Sequence, residues 1–500
     1  MSLLAAIDQG TTGTRCYLFD LSGRVVASAY REHRQSFPRP GWVEHDALEI
    51  RDNVDRVVAE AIEAGPRKPI LALGVTNQRE TVVFWDARSG NPLAPAIVWQ
   101  DTRTDADCRR LIEDGLEPEI RSRTGLPVST YFSATKIRWL FQNAPEARQL
   151  ARSGHLRIGT MDSWVIWNLT GGPRGGAHVT DPTNASRTLL CSLSSLAWDE
   201  ELLRRFEVPE GALPRIAPSI AAEPYGWTDA GGPLRARVPV SSDLGDQQAA
   251  LFGQACFHPG EAKNTYGTGS FLLQHTGETP AWSRHGLLST AAAASPGERA
   301  YALEGSVAVT GAAVQWLRDG LGLVGTAAET EPVARSVPDT GGVFFVPAFS
   351  GLFAPYWDMT ARGTIVGLTR FATRAHLVRA TLEAIAFQSR EVLEAMASDS
   401  GRPTDSLKVD GGATENDFLM QLQADVLGIP VIRPAVRETT ALGAAQAAGL
   451  ACGAYGSLTE LAGLWREDRI FEPEWSADRR EESYRGWTRA VRRSRGWLET

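Results

Sequence analysis

Apolar residues near the start of the chain fall in short runs divided by polar turns. Runs at 3–7 and 16–19 flank Asp8-Gln9-Gly10-Thr11-Thr12-Gly13-Thr14-Arg15, a pattern that predicts strand, tight turn, strand. A turn at Gly23 and the run 25–27 add a third strand and make a meander. Val54, Val57, Val58 and Ala61 then recur at helical spacing, behind Asp46 as N-cap with Glu49 as its capping-box partner, and before a Gly65-Pro66 stop. Runs 70–75 and 82–85 are strand-like again, interrupted by Thr76-Asn77-Gln78-Arg79-Glu80-Thr81. Charges between apolar runs are costly unless paired, exposed or used. A surface hairpin with a local ion pair and a functional site are both open readings of Arg79 and Glu80.

Ile97-Val98-Trp99 predicts a further strand, and 162–169 a helix capped by Asp162 and closed by Gly171-Gly172. Pro209, Pro214, Pro218 and Pro224 break regular structure. From residue 264 the opening pattern returns: Asn264-Thr265-Tyr266-Gly267-Thr268-Gly269-Ser270 runs into an apolar strand, with a turn at Gly277. Two such hairpins imply a unit that occurs twice. The boundary falls near 254–260, giving domains 1–253 and 254–500. The second half alternates: a helix over 306–319, a strand over 343–349, then a long amphipathic helix marked by Val378, Leu382, Ile385, Val392 and Met396 and stopped at Gly401 and Pro403. A strand at 407–409 runs into Asp410-Gly411-Gly412-Ala413, and a helix begins near Glu415 or Asn416. Residues 438–445 predict a helix of small residues that packs close to a neighbour.

Composition narrows the class. A chain of 500 residues suffices for two or more domains, each with its own core. A net charge of −8 and a pI near 5.7 argue against an electrostatic nucleic-acid binder. The arginines of 479–495 alternate with Glu481, Glu482 and aromatics, as in a solvated helix. Five scattered cysteines suggest reduced thiols rather than a disulfide frame or zinc site. The chain shows no cleavable leader and no run long enough to span a membrane, so a cytoplasmic location is expected.

The turn at 8–15 offers bare N–H groups, threonine hydroxyls and one cation, which suits a phosphate. Gly10 and Gly13 would supply positive φ or close backbone approach. Asp8 could hold Mg²⁺, directly or through water. The pattern is not a Walker loop, and an ordinary Gly-Thr hairpin is the alternative. Gly411-Gly412 could likewise admit a planar or anionic ligand, or be a plain turn. Asp246, in Gly245-Asp246-Gln247-Gln248 before an apolar run, is either a helix cap or a base, kept ionised by the helix terminus. A base there would orient an attacking hydroxyl, which is most of what phosphoryl transfer asks of it.

The ordered set of motifs resembles the glycerol kinases of the FGGY carbohydrate kinase family, from Ala6 to about Gly449 and more loosely beyond. It comprises Asp8 to Arg15; Pro40-Gly41-Trp42-Val43-Glu44-His45-Asp46; residues 76–81; Tyr131-Phe132-Ser133-Ala134-Thr135-Lys136; Thr180-Asp181-Pro182-Thr183-Asn184-Ala185-Ser186-Arg187; residues 245–253; Asn264 to Gly269; Gly351 to Thr369; and Asp410-Gly411-Gly412. The resemblance implies an α/β fold of two actin-like (ribonuclease H-like) ATPase domains with a ligand cleft between them. It implies ATP and Mg²⁺ as cofactors and glycerol as substrate. Carried over by motif, Arg79, Glu80, Tyr131, Asp246 and Gln247 would hydrogen-bond glycerol, and Trp99 and Phe271 would wall its carbons. Asp246 would be the base. Thr11, Thr12, Gly13, Arg15 and Thr268 would face the phosphates; Gly311, Gln315, Gly412 and Asn416 would hold the rest of the nucleotide; Asp8 would lie near Mg²⁺. The chain departs from the family pattern at Gly13-Thr14 and at Phe353, and residues 231–237 and 472–482 do not match known regulatory segments. A homodimer and a homotetramer are both open. The competing readings are a kinase of the same fold for another polyol or ketose, and an actin- or chaperone-like ATPase that binds a protein.

Overall fold

The computed structural model describes residues 2–498; residues 1, 499 and 500, the outer ends of the two expected domains, lie outside it. Strands β1 (Leu3–Gln9), β2 (Gly13–Asp20) and β3 (Val25–Glu32) form the predicted meander. Helix α1 (Ala47–Ala64) follows, with the Asp46 carboxylate accepting from the N–H groups of Leu48 and Glu49. Glu49 is not a capping-box partner; its carboxylate accepts instead from the Arg34 N–H at 3.2 Å. Strand β4 (Ile70–Asn77) then pairs in parallel with β1.

Strand β5 (Val82–Asp86) does not fold back on β4. It joins a second sheet, antiparallel to Leu156–Thr160. The surface-hairpin reading of Arg79 and Glu80 therefore fails. The segment is a corner between two sheets, and both side chains are buried. Strand β6 (Pro239–Gly245) pairs in parallel with β4 on its other side and leads directly into helix α2 (Asp246–Gly253). The first sheet thus runs Gly226–Trp227, β6, β4, β1, β2, β3.

The second half repeats the plan. Strands β7 (Ala262–Tyr266), β8 (Ser270–Gly277), β9 (Leu288–Ala292) and β10 (Ala300–Val307) are antiparallel, with β10 between β8 and β9. The long helix α3 (Arg374–Ser400) ends at Gly401 in the left-handed conformation, φ 67°. Strand β11 (Leu407–Asp410) lies parallel to β7, as β4 does to β1. Helix α4 (Asp417–Leu427), strand β12 (Val431–Pro434), helix α5 (Thr439–Ala451), strand β13 (Glu467–Phe471) and helix α6 (Ala477–Ser494) complete the chain. Antiparallel strands after a Gly/Thr hairpin, with a parallel strand on the hairpin's first member, recur in both halves, as the two Gly/Thr hairpins implied.

Helix α5 crosses back to the first sheet, where it packs on β1, β4 and α2. Small residues make that crossing feasible. A Cβ on Gly443 would sit 1.9 Å from the Ala249 carbonyl, and one on Gly253 would sit 2.0 Å from the Thr439 carbonyl.

Several sequence expectations need correction. Ser306 and Val307 belong to β10, so the helix expected from 306 begins only at Gly311–Gln315 and continues as a π turn over Trp316–Gly320. Asp162 does not cap its helix; Thr160 occupies that position, and Asp162 is buried, accepting from Thr180 Oγ1 at 2.6 Å. The strands expected at 97–99 and 343–349 shrink to Ala96–Ile97 and Phe344–Val346. Helix α6 is not merely solvated: it buries Trp487, Ala490 and Val491, with the Trp487 ring stacked on Phe387 at 5.4 Å.

Candidate active site

Register explains the site. Asp8 on β1 lies opposite Thr76 on β4, and Asn77 lies opposite Gly245 on β6. Three parallel strands therefore end at one level, the usual place for ligands on such sheets. Asp8, Arg79-Glu80 and Asp246 emerge from those ends.

The corner after β4 is held by its polar neighbours. Gln78 donates to Gln9 Oε1 at 3.1 Å and to the Gly10 carbonyl at 3.2 Å, which ties it to the first turn. Asn77 donates to Asn184 Oδ1 at 3.0 Å. Glu80 has φ 63°, a left-handed backbone for a residue with a side chain. Such a conformation costs about 1–3 kcal/mol and is held only where the surroundings fix it. Ser133 Oγ donates to the Glu80 carbonyl at 3.0 Å, and Arg187 Nε to its Oε1 at 2.7 Å.

Arg79 is the centre. Its Nε lies 3.1 Å from Asp246 Oδ1. NH1 and NH2 donate to the two oxygens of Glu304 at 2.5 and 3.0 Å, and NH1 also donates to Gln248 Oε1 at 3.1 Å. One NH2 hydrogen is left for a ligand. Arg187 NH2 donates to Glu304 Oε1 at 3.1 Å. Burial works against ionisation of Glu304, but Arg187 and Arg79 outweigh it and hold the acid at about 2. Burial raises Glu80 despite Arg187 and Arg79. It also raises Asp246 despite Arg79. Asp246 is not the cap: Gly245 occupies that position and Asp246 is the first helical residue. About 30 % of its side chain is exposed, so its carboxylate is reachable from the cleft.

Gln247 is oriented from below. Its Oε1 accepts from Lys263 Nζ at 2.5 Å, leaving its NH₂ to donate to a ligand hydroxyl. Lys263 also donates to Thr265 Oγ1 at 2.9 Å and to the Phe271 carbonyl at 3.2 Å, and burial brings its amine down to about 8. Trp99 and Tyr131 stand edge to face, ring centres 5.4 Å apart, and Lys136 donates to both of their carbonyls at 3.2 Å. Phe271 sits half-buried on β8. Trp99 Nε1 donates to Thr11 Oγ1 at 2.9 Å, which joins this pocket to the first turn.

In that turn Gly10 N–H donates to the Gly13 carbonyl at 2.9 Å. Neither glycine has positive φ; the requirement at Gly13 is space, since a Cβ would meet Tyr30 Cε2 at 2.5 Å and the Arg31 carbonyl at 2.6 Å. Thr12 is exposed. Arg15 NH1 lies 3.6 Å from Asp8 Oδ2. Burial pushes Asp8 up to about 6, with Arg15 opposing and Asp246 and Glu438 reinforcing.

The second turn is built differently. The Gly267 and Thr268 carbonyls accept from Gly311 and Ala312 N–H at 3.1 and 3.0 Å, so the turn closes onto the start of the Gly311–Gln315 helix. A Cβ on Gly311 would lie 2.6 Å from the Gly267 carbonyl. Gln315, Thr268 and Gly412 are exposed, and Gly412 faces open space. Gly411, φ 91°, packs on the Tyr266 carbonyl next to this turn. The Asn416 amide is already engaged: Oδ1 caps α4 through Leu419 N–H at 2.9 Å, and Nδ2 donates to Thr330 Oγ1 at 3.1 Å.

Five buried residues that the sequence reading left without a role complete the site: Glu304, Arg187, Lys263, Gln248 and Lys136. Arg187, Lys136 and Gln248 stood inside the motifs given above. Glu304 interrupts an apolar run after Leu303, the same signal that singled out Arg79, but the helix expected at 306 concealed the strand that carries it.

Residues 3–253 match the FGGY family of carbohydrate kinases, N-terminal domain, and residues 262–452 its C-terminal domain. The chain is 56 % identical over 501 residues to a glycerol kinase of Saccharopolyspora erythraea, spanning all of both chains. It is 55 % identical over 499 residues to one of Mycobacterium tuberculosis, covering 99 % of this chain and 96 % of that protein. Among solved structures, Plasmodium falciparum glycerol kinase with ADP superposes with a TM-score of 0.93 at 38 % identity, covering 100 % of this chain and 99 % of that one. The chain belongs to the FGGY family of carbohydrate kinases.

Proposed function

We infer that the chain transfers the γ-phosphoryl group of ATP to a terminal hydroxyl of glycerol, giving sn-glycerol 3-phosphate and ADP. The observation that carries this reading is the convergence of Arg79, Asp246 and the free Gln247 NH₂ beside the Trp99–Tyr131 wall. Glycerol is a small triol, and a pocket discriminates best when its buried donors and acceptors require the hydroxyls they meet. In this reading Arg79 and Gln247 donate to glycerol, Glu80 and Asp246 accept from it, and Trp99, Tyr131 and Phe271 cover its carbons. Asp246 takes the proton of the attacking hydroxyl. Its raised pKa makes it a better acceptor than an ordinary aspartate, while Arg79 keeps it available in ionised form.

Thr11, Thr12, Gly13 and Arg15 approach the phosphates from one side and Thr268 from the other, with Gly311, Gln315, Gly412 and the Asn416 region flanking the remainder of the nucleotide. Mg²⁺ fits the donor set. Among the described residues no group of three or more His, Cys, Asp or Glu forms a cage, and a phosphate-bound Mg²⁺ needs only one or two carboxylates and its own waters. Asp8 would hold it through water, and the ion would neutralise charge on the transferred group. Division after Gly253, a cytoplasmic location and a homodimeric or homotetrameric assembly belong to the same proposal.

An ATP-coupled assay across glycerol, dihydroxyacetone, erythritol and xylulose tests the reading. Glycerol should give the highest kcat/KM. A preference for xylulose or erythritol would move the chain to another kinase of the fold. Nucleotide hydrolysis stimulated by a polypeptide and indifferent to polyols would favour the chaperone-like alternative.

A further inference from the structure

Glu304 belongs to β10 in the second sheet, yet both of its carboxylate oxygens are spent on arginines of the first half. It is wholly buried, and so is Arg187. Arg79 lies 225 residues away in sequence and Arg187 lies 117 away. The Nε groups of those arginines hold Asp246 and Glu80, two groups that would meet the substrate. One carboxylate from the nucleotide-side sheet thus sets the orientation of two cations, and through them of a base and an acceptor.

We propose that Glu304 is a positioning residue for the glycerol pocket, supplied by the second sheet, that keeps the Arg79 fork from closing onto Asp246. This rests on the glycerol kinase reading given above. The geometry provides the argument. Arg79 reaches Asp246 through Nε alone, while NH1 and NH2 are drawn to Glu304. A guanidinium prefers a two-point pairing with a carboxylate. With Glu304 uncharged, the nearest carboxylate able to take the fork is Asp246, which would lose basicity and at the same time remove the Arg79 donor from the substrate. The pocket would then be complete only when β10 is docked against the corner at Arg79-Glu80, which couples substrate capture to contact between the two halves.

Glu304→Gln keeps the shape and removes the charge. The expected result is a fall of at least 20-fold in kcat/KM for glycerol, with KM for ATP within twofold of the parent. The acid limb of the kcat/KM profile should also move to lower pH, because Asp246 would face Arg79 and Lys263 without the opposing charge of Glu304; Asp8 is the remaining carboxylate that feels Asp246. Glu304→Asp retains the charge and should recover at least threefold over the glutamine variant. A glutamine variant with kcat/KM within twofold of the parent overturns the proposal. So does a parallel rise in both KM values with an unmoved acid limb, which would mean general loosening. Should the glutamine variant fail to fold, Glu304→Asp decides: a glycerol-selective loss of about fivefold is expected, and parental kinetics overturn the proposal. The parent is assayed alongside; a parent inactive on glycerol refutes the function itself, whereas an active parent with an unaffected variant refutes only the role of Glu304.

Discussion

Asp246→Asn separates chemistry from architecture. The side chain keeps its volume and loses its charge. Asp246 makes one ionic contact, with Arg79 Nε at 3.1 Å, and is partly exposed; Arg79 retains both oxygens of Glu304 and the Gln248 carbonyl. The guanidinium therefore keeps a paired buried charge when Asp246 becomes neutral, so the melting temperature should move by only a few degrees. The loss should appear in turnover. General-base catalysis contributes about 10²–10⁴-fold, and that is the expected fall in kcat. The pH dependence adds a sign. As the proposed base Asp246 would act ionised, and its pKa is raised, so parental kcat/KM should fall as pH drops through a value above that of an ordinary aspartate. In the asparagine variant this limb should vanish. ADP release coupled to a dehydrogenase, followed from pH 5 to 9 alongside nucleotide-induced thermal shifts, makes the test. A variant that phosphorylates glycerol within threefold of the parent, or one that retains the acid limb, would refute the assignment.

Arg79→Lys keeps a cation but loses the fork, so glycerol KM should rise at least tenfold while ATP KM stays within twofold; equal effects on both, measured by steady-state kinetics, would argue against a substrate contact. Glu304 is depressed relative to a free glutamate, so its contribution to stability is complete above the unfolded value near 4.5 and is lost as pH falls toward about 2. The difference in stability between the parent and Glu304→Gln, about 3–5 kcal/mol near neutrality for a broken buried pair, should therefore narrow as calorimetry is taken from pH 6 to pH 3. Gly13→Ala places a methyl 2.6 Å from the Arg31 carbonyl, so the first turn must shift; ATP KM should rise at least tenfold with little change in glycerol affinity by thermal shift. Gly443→Ala meets backbone at 1.9 Å, a contact no rotamer change relieves, and should lower stability by more than about 3 kcal/mol or abolish soluble expression.

The duplicated hairpin, the capped first helix, the long helix stopping at Gly401 and the close-packed helix at 439–451 were legible because each is local: a turn, a cap or a run of small residues declares itself within a few positions. Pairing was not. Whether 76–81 turns back or crosses to another sheet depends on which partner β5 finds, and that partner, Leu156–Thr160, lies some seventy residues on. Glycines also misled in kind. Gly13 answers a steric demand from Tyr30 and Arg31 across the β2–β3 pair, which no turn rule encodes. Asp162 was read as a cap because caps favour aspartate, but burial and the Thr180 hydroxyl decide its place. The motifs located Arg79, Glu80 and Asp246. They gave no indication that the counter-charge for Arg79 would arrive from a strand in the other half.

That counter-charge accounts for the ordering of acidities. Within the cluster, two buried arginines serve three carboxylates. Glu304 receives three arginine N–H groups and sits lowest; Glu80 receives one, Asp246 receives Arg79 Nε and the N–H of its neighbour Gln247, and both are raised by burial. Proton affinity is thus lowest where the arginine donors are most numerous. Environments that push like groups apart assign their roles. The acid best supplied with donors is the one wholly enclosed, where it anchors the arginines. Asp246, which takes only one arginine N–H, opens to the cleft, where a proton acceptor is useful. If Asp246 and Glu304 exchanged these conditions, the site would have a strong anchor exposed to solvent and a base with no access to substrate. The uneven sharing of two cations therefore lets one side of the cluster hold the halves together while the other remains basic enough to take a proton.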